Sequence, residues 1–302
     1  MSDKASQCPC CGASDPKWLG ALPDSEWFAG KRLTHRLNGG ALYRCKTCFL
    51  KFRFPLEDPA SYHTLYDNAE TRTWPAQSRR IDWDLILEQI SHFKPEGGKV
   101  LDFGCYSGGL LSRLDGRYER FGIEINREAA RIAQEAAGAH LWNNLEAMPA
   151  DQRFDVIVIA DVLEHVPNPQ TLFDHLKRNL GKDGIVVATT GDADNPLWNW
   201  FGANWWYCFY PEHVSFVSKK WVEQILLPNG WSLMTYKRFR YRRLSPFLGL
   251  VELASACMYG LFPRAYLHIQ SVLKRSRALT SAPGNSVTAD HLLITLARKR
   301  SS

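Results

Sequence analysis

The sequence lacks the features that mark secreted, membrane-spanning and repetitive proteins. Its first residues, MSDKASQ, are acidic and polar where a signal peptide has a basic start followed by an apolar run. The apolar stretch at 246–263 is about eighteen residues long and falls short of the roughly twenty that a membrane span needs. No internal repeat or long low-complexity tract is visible among the 302 residues. We therefore expect a cytoplasmic, globular protein.

A large excess of one charge sign is also missing. Lys and Arg number 37 against 31 Asp and Glu, and the formal net charge of +6 favours acidic partners only mildly. The basic residues gather late, in runs at 237–243, 274–277 and 298–300. Because the overall excess is modest, we do not expect a nucleic-acid partner.

Cysteine is present in numbers that suit a metal site better than a disulfide framework in a reducing compartment. Cys8 with Cys11 and Cys45 with Cys48 form two C-x-x-C pairs, and two such turns complete a tetrahedral zinc site. The gap of about thirty residues exceeds the usual zinc-ribbon gap of about 15 to 20, so an insertion or small sheet must separate the pairs. We predict a zinc-ribbon-like module at 1–58 with Cys10 spare, and a redox dithiol is the disfavoured alternative.

Helical and β-rich stretches alternate after this module. A helical connector is predicted at 59–96, followed by strands at 99–103, 120–125, 154–160 and 184–189 with helices between them. The first of these helices is predicted to end at 114, and the second to span 127–137. A helix at 218–227 and strands at 231–236 and 291–297 follow. This alternation predicts an α/β protein with a parallel sheet at 97–240 and 286–302, interrupted by a helical insertion at 241–285.

The segment VLDFGCYSGG at 100–109 predicts a strand that feeds a glycine-bearing turn. Gly104 and Gly108 would let backbone approach a ligand, and a helix starting near Gly108 would offer free N–H groups. The Lys and Ser or Thr of a P-loop are absent. Glu124 follows about twenty residues after the turn, the spacing at which a carboxylate accepts ribose hydroxyls, although an acid after a strand can also cap a helix. The pattern predicts a cofactor with a carboxylate and a ribose.

Four segments together, VLDFGCYSGG, FGIEIN, FDVIVIADVLEHVPNP and DHLLITLARK, resemble the class I S-adenosylmethionine-dependent methyltransferases. The resemblance is strongest to the ubiquinone and menaquinone biosynthesis branch and its relatives acting on sugars and lipids, and it covers about half of the chain. It implies a Rossmann-like seven-stranded sheet with S-adenosylmethionine at the carboxyl ends of its strands. A zinc-binding module before such a domain resembles, more loosely, methyltransferases of sugar and surface-glycan pathways.

The resemblance also implies which residues line the cofactor. They are Asp102, Gly104, Cys105 and Gly108 at the methionine end, Glu124 and Ile125 at the ribose, Asn144 and Leu145 at the adenine, and Asp161 and Val162 on the closing side. Tyr106 stands where a glycine is frequent, and Asn144 where an aspartate is frequent.

Asp161, Glu164 and His165 form an acidic cluster at the end of a strongly apolar strand. A similar cluster in the ubiquinone-type O-methyltransferases supports a divalent metal, so magnesium is one interpretation. In another, Glu164 and His165 cap the following helix and orient the cleft. His165 is also a candidate general base, because its ordinary pKa lies near working pH.

A second candidate base, His213, lies in a Pro-Glu-His segment that follows the fifth strand. The aromatic residues just before it are either pocket or core: Trp198, Trp200, Trp205, Trp206 and Tyr207. The apolar stretch at 246–263 is interpreted as a lid or a dimer-forming helix, with an interfacial membrane helix as the alternative.

The leading functional hypothesis is methyl transfer from S-adenosylmethionine to a hydroxyl of a small-molecule, sugar or lipid-linked acceptor. The alternatives are an RNA methyltransferase with a zinc-binding recognition module and a non-catalytic zinc-ribbon adaptor with a degenerate methyltransferase domain. The sequence names neither the acceptor, nor O- against N- or C-methylation, nor the oligomeric state.

Overall fold

The computed structural model of the chain describes residues 5–67, 80–241, 244–273 and 287–299. The helices are α1 (Pro59–Asp67), α2 (Ile81–Phe93), α3 (Arg127–Ala137), α4 (Pro169–Asn179), α5 (Pro196–Phe201), α6 (Lys219–Trp221), α7 (Pro246–Leu261) and α8 (Pro263–Leu273). The strands are β1 (Lys17–Ala21), β2 (Ser25–Phe28), β3 (Lys31–Leu37), β4 (Ala41–Arg44), β5 (Lys51–Phe54), β6 (Gly98–Phe103), β7 (Tyr118–Ile123), β8 (His140–Trp142), β9 (Phe154–Ala160), β10 (Leu180–Gly191), β11 (Ser215–Phe216), β12 (Trp231–Phe239) and β13 (His291–Arg298).

A seven-stranded sheet forms the centre of the molecule, in the order β12-β13-β10-β9-β6-β7-β8. The pairs from β10 through β9, β6 and β7 to β8 are parallel. Strand β13 is antiparallel to both of its neighbours, β10 and β12. The predicted Rossmann-like seven-stranded sheet is confirmed, and the strand order reverses beside β6, where such sheets bind ligands.

The strands are apolar because both faces of the sheet are covered. Val100, Val156 and Val158 lie on the face that α2 covers with Ile86 and Ile90. Leu101, Ile157 and Ile159 belong to the opposite core, which α4 covers with Phe173 and Leu176. The carboxyl ends of the central strands are thereby fixed as the rigid floor of a cleft.

The helix predicted to follow β6 and to end at 114 was wrong. The chain forms a single 3₁₀ turn there, Leu111–Arg113. Only residues 104–117 separate β6 from β7, and the first six of them form the glycine-bearing turn. Too few residues remain for a helix, and burial of Leu110, Leu111 and Leu114 anchors the short connection instead.

The N-terminal residues form a second, four-stranded sheet with the order β1-β4-β5-β11. Strand β11 comes from the middle of the chain, where Ser215 and Phe216 pair with Phe52 and Lys51. The N-terminal module therefore shares a sheet with the segment that follows the fifth strand of the large sheet. A separate hairpin of β2 and β3 packs Phe28 against Tyr62 and Tyr66 of α1.

The predicted insertion contains α7 and α8, while its residues 242–243 and 274–285, which carry parts of two basic runs, lie outside the described residues. Among the helices that the structure describes, none is both long enough and apolar enough to cross a bilayer.

Candidate functional site

The glycine-bearing turn after β6 is held against the end of β7 by Glu124. The Glu124 carboxylate accepts a hydrogen bond from the Tyr106 N–H at 2.8 Å and another from the Asn126 N–H at 2.8 Å. The helix cap of α3 is instead Asn126, whose side chain accepts from the Ala129 N–H. Glu124 is therefore not a cap; it ties the two ligand-facing turns together at the carboxyl edge of the sheet.

The backbone of the turn adopts the left-handed region at three positions: Gly104, Tyr106 and Gly108 have φ angles of 77°, 48° and 75°. A Cβ on Gly104 would lie 2.6 Å from Val162, and one on Gly108 would lie 2.9 Å from Ala133 of α3. These two glycines are required by close packing as well as by φ. Tyr106 bears a side chain in a conformation that favours glycine, which explains why glycine is frequent in the resembling proteins at this place.

Two acids are buried at the turn, Asp102 at 3% exposure and Glu124 at 8%. Burial, together with the nearby Glu124 carboxylate, raises the pKa of Asp102 to about 7. Burial also raises the pKa of Glu124 above its ordinary value, although the backbone N–H groups that it accepts oppose the shift. Burial disfavours the ionised forms of these two acids, and a cationic ligand would stabilise them. The neighbouring Cys105 is buried and its Sγ lies in the space beside Gly122, so only its backbone faces the turn.

A cavity of about 450 Å³ opens beside Glu124, between the start of α3 and the end of β8. Its lining includes Arg127, Leu141, Trp142 and Asn143. Trp142 and Asn143 were not singled out from the sequence, where only their position after a short strand could have indicated them. Such a cavity suits a flat, polar-edged ring next to the ribose-spacing acid.

The remaining predicted cofactor residues surround this region. Ile125 and Leu145 are half-buried, and Asn144 is exposed with its Oδ1 accepting from the Ala147 N–H at 2.8 Å. The Val162 side chain occupies the space that a Cβ on Gly104 would need, so the chain that leaves the fourth strand of the sheet reaches the turn.

Asp161 directly follows β9 with a φ of 53°, and side chains from outside the sheet contact its carboxylate. Arg80, just before α2, donates to Asp161 at 2.5 Å and to the buried Asp82 at 2.6 Å. The Tyr241 hydroxyl lies 2.7 Å from the same Asp161 carboxylate. Neither Arg80 nor Tyr241 carries a sequence signal that would have revealed these contacts, because both lie about eighty residues from Asp161.

The magnesium prediction is not supported. Asp161 faces Arg80 and Tyr241, whereas Glu164 accepts hydrogen bonds from the Thr190 hydroxyl at 2.7 Å and from the Tyr207 hydroxyl. The interpretation of Glu164 and His165 as caps was also wrong, since Asn168 caps α4 by accepting from the Thr171 N–H. Asp161 and Glu164 thus bind different neighbours, and the two carboxylates do not form an oxygen-rich face with His165.

The structure instead brings His165 and His213 together, with ring centroids 5.0 Å apart. The Nδ1 of His213 lies 2.8 Å from the Tyr207 carbonyl oxygen, and that of His165 lies 2.9 Å from the Tyr66 hydroxyl. One ligand atom each of Glu164, His165 and His213 lies within 4.8 Å of the others, although both Glu164 oxygens already accept hydroxyl donors. Two half-buried imidazoles therefore lie side by side between Tyr66 and Tyr207.

The surroundings favour the neutral form of both imidazoles. Burial lowers the pKa of His165, partly opposed by Glu212, and burial with the adjacent His165 lowers the pKa of His213 well below its ordinary value. Because Nδ1 of His213 donates to a carbonyl, its Nε2 carries the lone pair that can take a proton.

The N-terminal module holds the loop that carries His213. Arg53 of β5 is 3% exposed and donates to the carbonyl oxygens of Cys208 at 2.9 Å, Tyr210 at 3.0 Å and His213 at 3.2 Å. It also donates to the Gly39 carbonyl at 2.6 Å. One guanidinium thus fixes the backbone around the Pro-Glu-His segment, and no local sequence pattern indicates this connection.

The four predicted metal ligands come together: the sulfurs of Cys8, Cys11, Cys45 and Cys48 all lie within 4.8 Å of one another. The Cys8–Cys48 and Cys11–Cys45 sulfur distances are both 3.6 Å. Zn–S bonds of about 2.3 Å in a tetrahedron place sulfurs about 3.8 Å apart, so the cluster fits zinc. The Cys10 sulfur is not one of these four; it lies 3.4 Å from the Trp221 indole nitrogen, where the module meets the large domain.

The aromatic residues around the fifth-strand loop divide between core and surface. Trp198 and Trp205 are fully buried and stack with centroids 6.0 Å apart, whereas Trp200 is 69% exposed. Tyr207 is buried with its hydroxyl on Glu164. The two central tryptophans are therefore core, and Tyr207 and Tyr210 are the rings that lie nearest the imidazoles.

A family model described as a methyltransferase domain matches residues 76–236. A tRNA U34 carboxymethyltransferase of Colwellia psychrerythraea is 28% identical over 174 residues, which cover 53% of this chain and 52% of that protein. A ubiquinone biosynthesis O-methyltransferase of Glaesserella parasuis is 31% identical over 108 residues, covering 31% of this chain and 45% of that protein. The chain thus spans about half of the length of the curated relatives that it matches.

Solved structures resemble the chain at low identity. A plantazolicin methyltransferase in complex with a substrate analogue and SAH superposes with a TM-score of 0.48 at 17% identity, covering 80% of this chain and 92% of that one. A putative methyltransferase of Bacillus halodurans gives a TM-score of 0.49 at 16% identity, covering 72% and 98%.

Proposed function

This chain belongs to the methyltransferase-domain family, and we propose that it transfers a methyl group from S-adenosylmethionine to a hydroxyl of a small-molecule, sugar or lipid-linked acceptor. The observation that carries the proposal is the junction of Glu124 with the glycine-bearing turn, beside a cavity that Glu124 helps to line.

The residues at this junction fit the cofactor. The buried acids Asp102 and Glu124 complement a cation, and the second lone pairs of the Glu124 oxygens remain for ribose hydroxyls. Trp142 offers a flat face in the cavity beside them. When bound, S-adenosylmethionine supplies an electrophilic methyl group on a sulfonium, and the chain's task is to align the acceptor and remove its proton.

His213 is the proposed general base. Its Nδ1 is occupied by the Tyr207 carbonyl, so the acceptor proton passes to Nε2 as the oxygen forms its bond to carbon. His165 lies beside it, with its Nδ1 near the Tyr66 hydroxyl and the Glu212 carbonyl oxygen, and it is proposed to orient the acceptor and to belong to the same acid–base centre. Burial keeps both rings neutral and therefore competent to accept the proton.

Structural zinc is proposed at Cys8, Cys11, Cys45 and Cys48. A closed four-cysteine site stabilises a fold and leaves no position open for a substrate. The module that contains this site is proposed to brace the loop at 208–213, which we call the acceptor loop. The packing of Cys10 on Trp221 and the hydrogen bonds of Arg53 support this role.

The direct test is incubation of the purified protein and extract with S-adenosylmethionine labelled in its methyl group, followed by fractionation into lipid, glycan, small-molecule and RNA pools. Label in the lipid, glycan or small-molecule pool, absent with the His213→Asn variant, is the expected result. No transfer to any pool by a protein that binds the cofactor would contradict the proposal.

RNA modification is a second candidate, because the tRNA carboxymethyltransferase relative covers 53% of the chain. Label in the RNA pool, with RNA retention that weakens steeply as salt is raised, would favour this candidate over the first.

A further inference from the structure

The hairpin of α7 and α8 turns an apolar face to solvent. Nine of the twelve exposed large hydrophobic side chains in the described part of the chain belong to this hairpin. On α7 they follow one helical face at spacings of three and four residues, with Phe247 at 73% exposure and Leu250 at 67%. A face of this extent on a water-soluble surface marks an interaction site.

The opposite face of the hairpin is already packed. A Cβ on Gly260 would lie 2.2 Å from Phe201, and the Asn204 side chain donates to the Gly260 carbonyl at 2.9 Å. The ring of Tyr259, which is 3% exposed, lies 6.3 Å from that of Phe209. The inner face of the hairpin therefore packs against the loop that leads to His213. The apolar residues of its outer face do not take part in this packing.

The positive charge of the sequence is concentrated in the segment that contains this hairpin. Residues 237–277 contain nine Lys and Arg and one acid, Glu252, a net charge of +8. The whole chain carries +6, so the rest of it carries −2. Among the described residues of this segment, Lys237, Arg240 and Arg264 are exposed.

We propose that the α7–α8 hairpin docks this protein on an anionic lipid bilayer, where it lies in the interface without crossing it. Apolar side chains that enter the acyl boundary, flanked by cations on the headgroups, form the two signals that stable interfacial binding needs. A second copy would bring a segment of net charge +8 against an identical one, so charge complementarity selects the lipid surface. RNA would use the cations but leave the aliphatic face exposed.

Docking at this place also bears on the substrate, and the identity of the acceptor rests on the proposed function. Because the hairpin packs on the loop between Phe201 and Phe209, a docked molecule holds His165 and His213 close to the bilayer. The acceptor hydroxyl is then carried by a membrane-anchored lipid, reached without leaving the bilayer surface.

Flotation of the full-length protein with two vesicle preparations tests the docking. One contains phosphatidylcholine alone, and the other contains equal amounts of phosphatidylcholine and phosphatidylglycerol. We expect flotation with the anionic vesicles, weakening with added salt as the charges are screened. The double variant Phe247→Ser/Leu250→Ser is expected to bind at least about tenfold more weakly. Trp18→Ser, which changes an exposed aromatic residue at 56% exposure on β1, is the matched control.

The charge contribution is tested with Arg240→Glu/Arg264→Glu, expected to weaken flotation about tenfold or more, against Lys17→Glu/Lys31→Glu on the N-terminal module. Flotation that neither double variant changes, or no flotation with either vesicle, overturns the proposal. A concentration-dependent dimer in light scattering that Phe247→Ser/Leu250→Ser abolishes assigns the face to a second copy, and salt-sensitive RNA retention assigns it to RNA. Flotation needs no cofactor, so cofactor binding measured on the same samples separates failure of the docking from failure of the proposed function.

Discussion

At the scale of single residues, Asp102 links cofactor binding to pH. Its pKa is raised to about 7 by burial and by Glu124, so it is largely protonated below pH 7 in the free protein. A bound cation favours the ionised form, so binding should release a proton and tighten as pH rises through 7, levelling above it. Asp102→Asn should remove this dependence, whereas the exposed Asp115→Asn should leave it intact.

Calorimetry in two buffers of different ionisation enthalpy measures the proton released. Equal heats in both buffers, with a dissociation constant that does not change across pH 7, would contradict the role given to Asp102.

The role proposed for His213 predicts the acid limb of the pH–rate profile. A general base must be neutral, and because burial lowers the pKa of His213 well below 6.5, the fall in kcat should have its midpoint below that value. His213→Asn should lower kcat by about 10²- to 10⁴-fold with little change in the dissociation constant of S-adenosylmethionine. His63→Asn, an exposed histidine on α1, serves as the control. An acid limb centred above 6.5, or activity that survives the substitution, excludes His213 as the base.

At the scale of elements, local sequence predicted some segments well. Helix α3 at Arg127–Ala137 and strand β9 at Phe154–Ala160 have the predicted bounds, because caps and apolar runs define them locally. The prediction of a helix after β6 was wrong because the short connection between two paired strands left no room for it. Sequence periodicity carries no information on that spacing. Contacts such as Arg80 with Asp161 and β11 with β5 join distant segments, and local patterns carry no information on them.

Strand β5 acts on the acceptor loop through Arg53. Replacing Arg53 with Met leaves four buried carbonyl oxygens without this donor, and we expect the free energy of unfolding to fall by about 2–4 kcal/mol. The KM for the acceptor should rise, while the dissociation constant of S-adenosylmethionine, whose site lies at another loop, stays near its original value. Arg32→Met removes an exposed ion pair with Glu26 and should cost less than about 1 kcal/mol. Denaturant unfolding and steady-state kinetics on both variants check these values; equal effects would refute the bracing role.

The cysteine turns should hold one zinc per chain. Cys48→Ser should lose the metal and lower the melting temperature, because the closed site stabilises the N-terminal module. Cys10→Ser should retain the metal, since the four mutually close sulfurs do not include that of Cys10, which lies against Trp221. Elemental analysis of the purified variants decides between zinc and a redox dithiol, for which no bound metal is expected in the original protein.

At the scale of the whole molecule, three parts of the chain meet at one loop. The N-terminal module holds residues 208–213 through Arg53, the large sheet supplies Glu164 to Tyr207, and the late hairpin packs on Phe201 and Asn204. The family model covers only 76–236, so two of these parts lie largely beyond it. The glycine-bearing turn and Glu124 thus lie within the matched residues, whereas Arg53 and the α7–α8 hairpin lie outside them.

The central claim is that the junction of Glu124 with the glycine-bearing turn binds S-adenosylmethionine. Isothermal titration of the protein with this cofactor should give saturable heat for one site. Glu124→Ala should weaken binding by about tenfold to a hundredfold, because it removes charge-assisted hydrogen bonds, and the exposed Glu128→Ala should not. No heat with S-adenosylmethionine, and no difference between the original protein and Glu124→Ala, would contradict the account and leave a non-catalytic adaptor in its place.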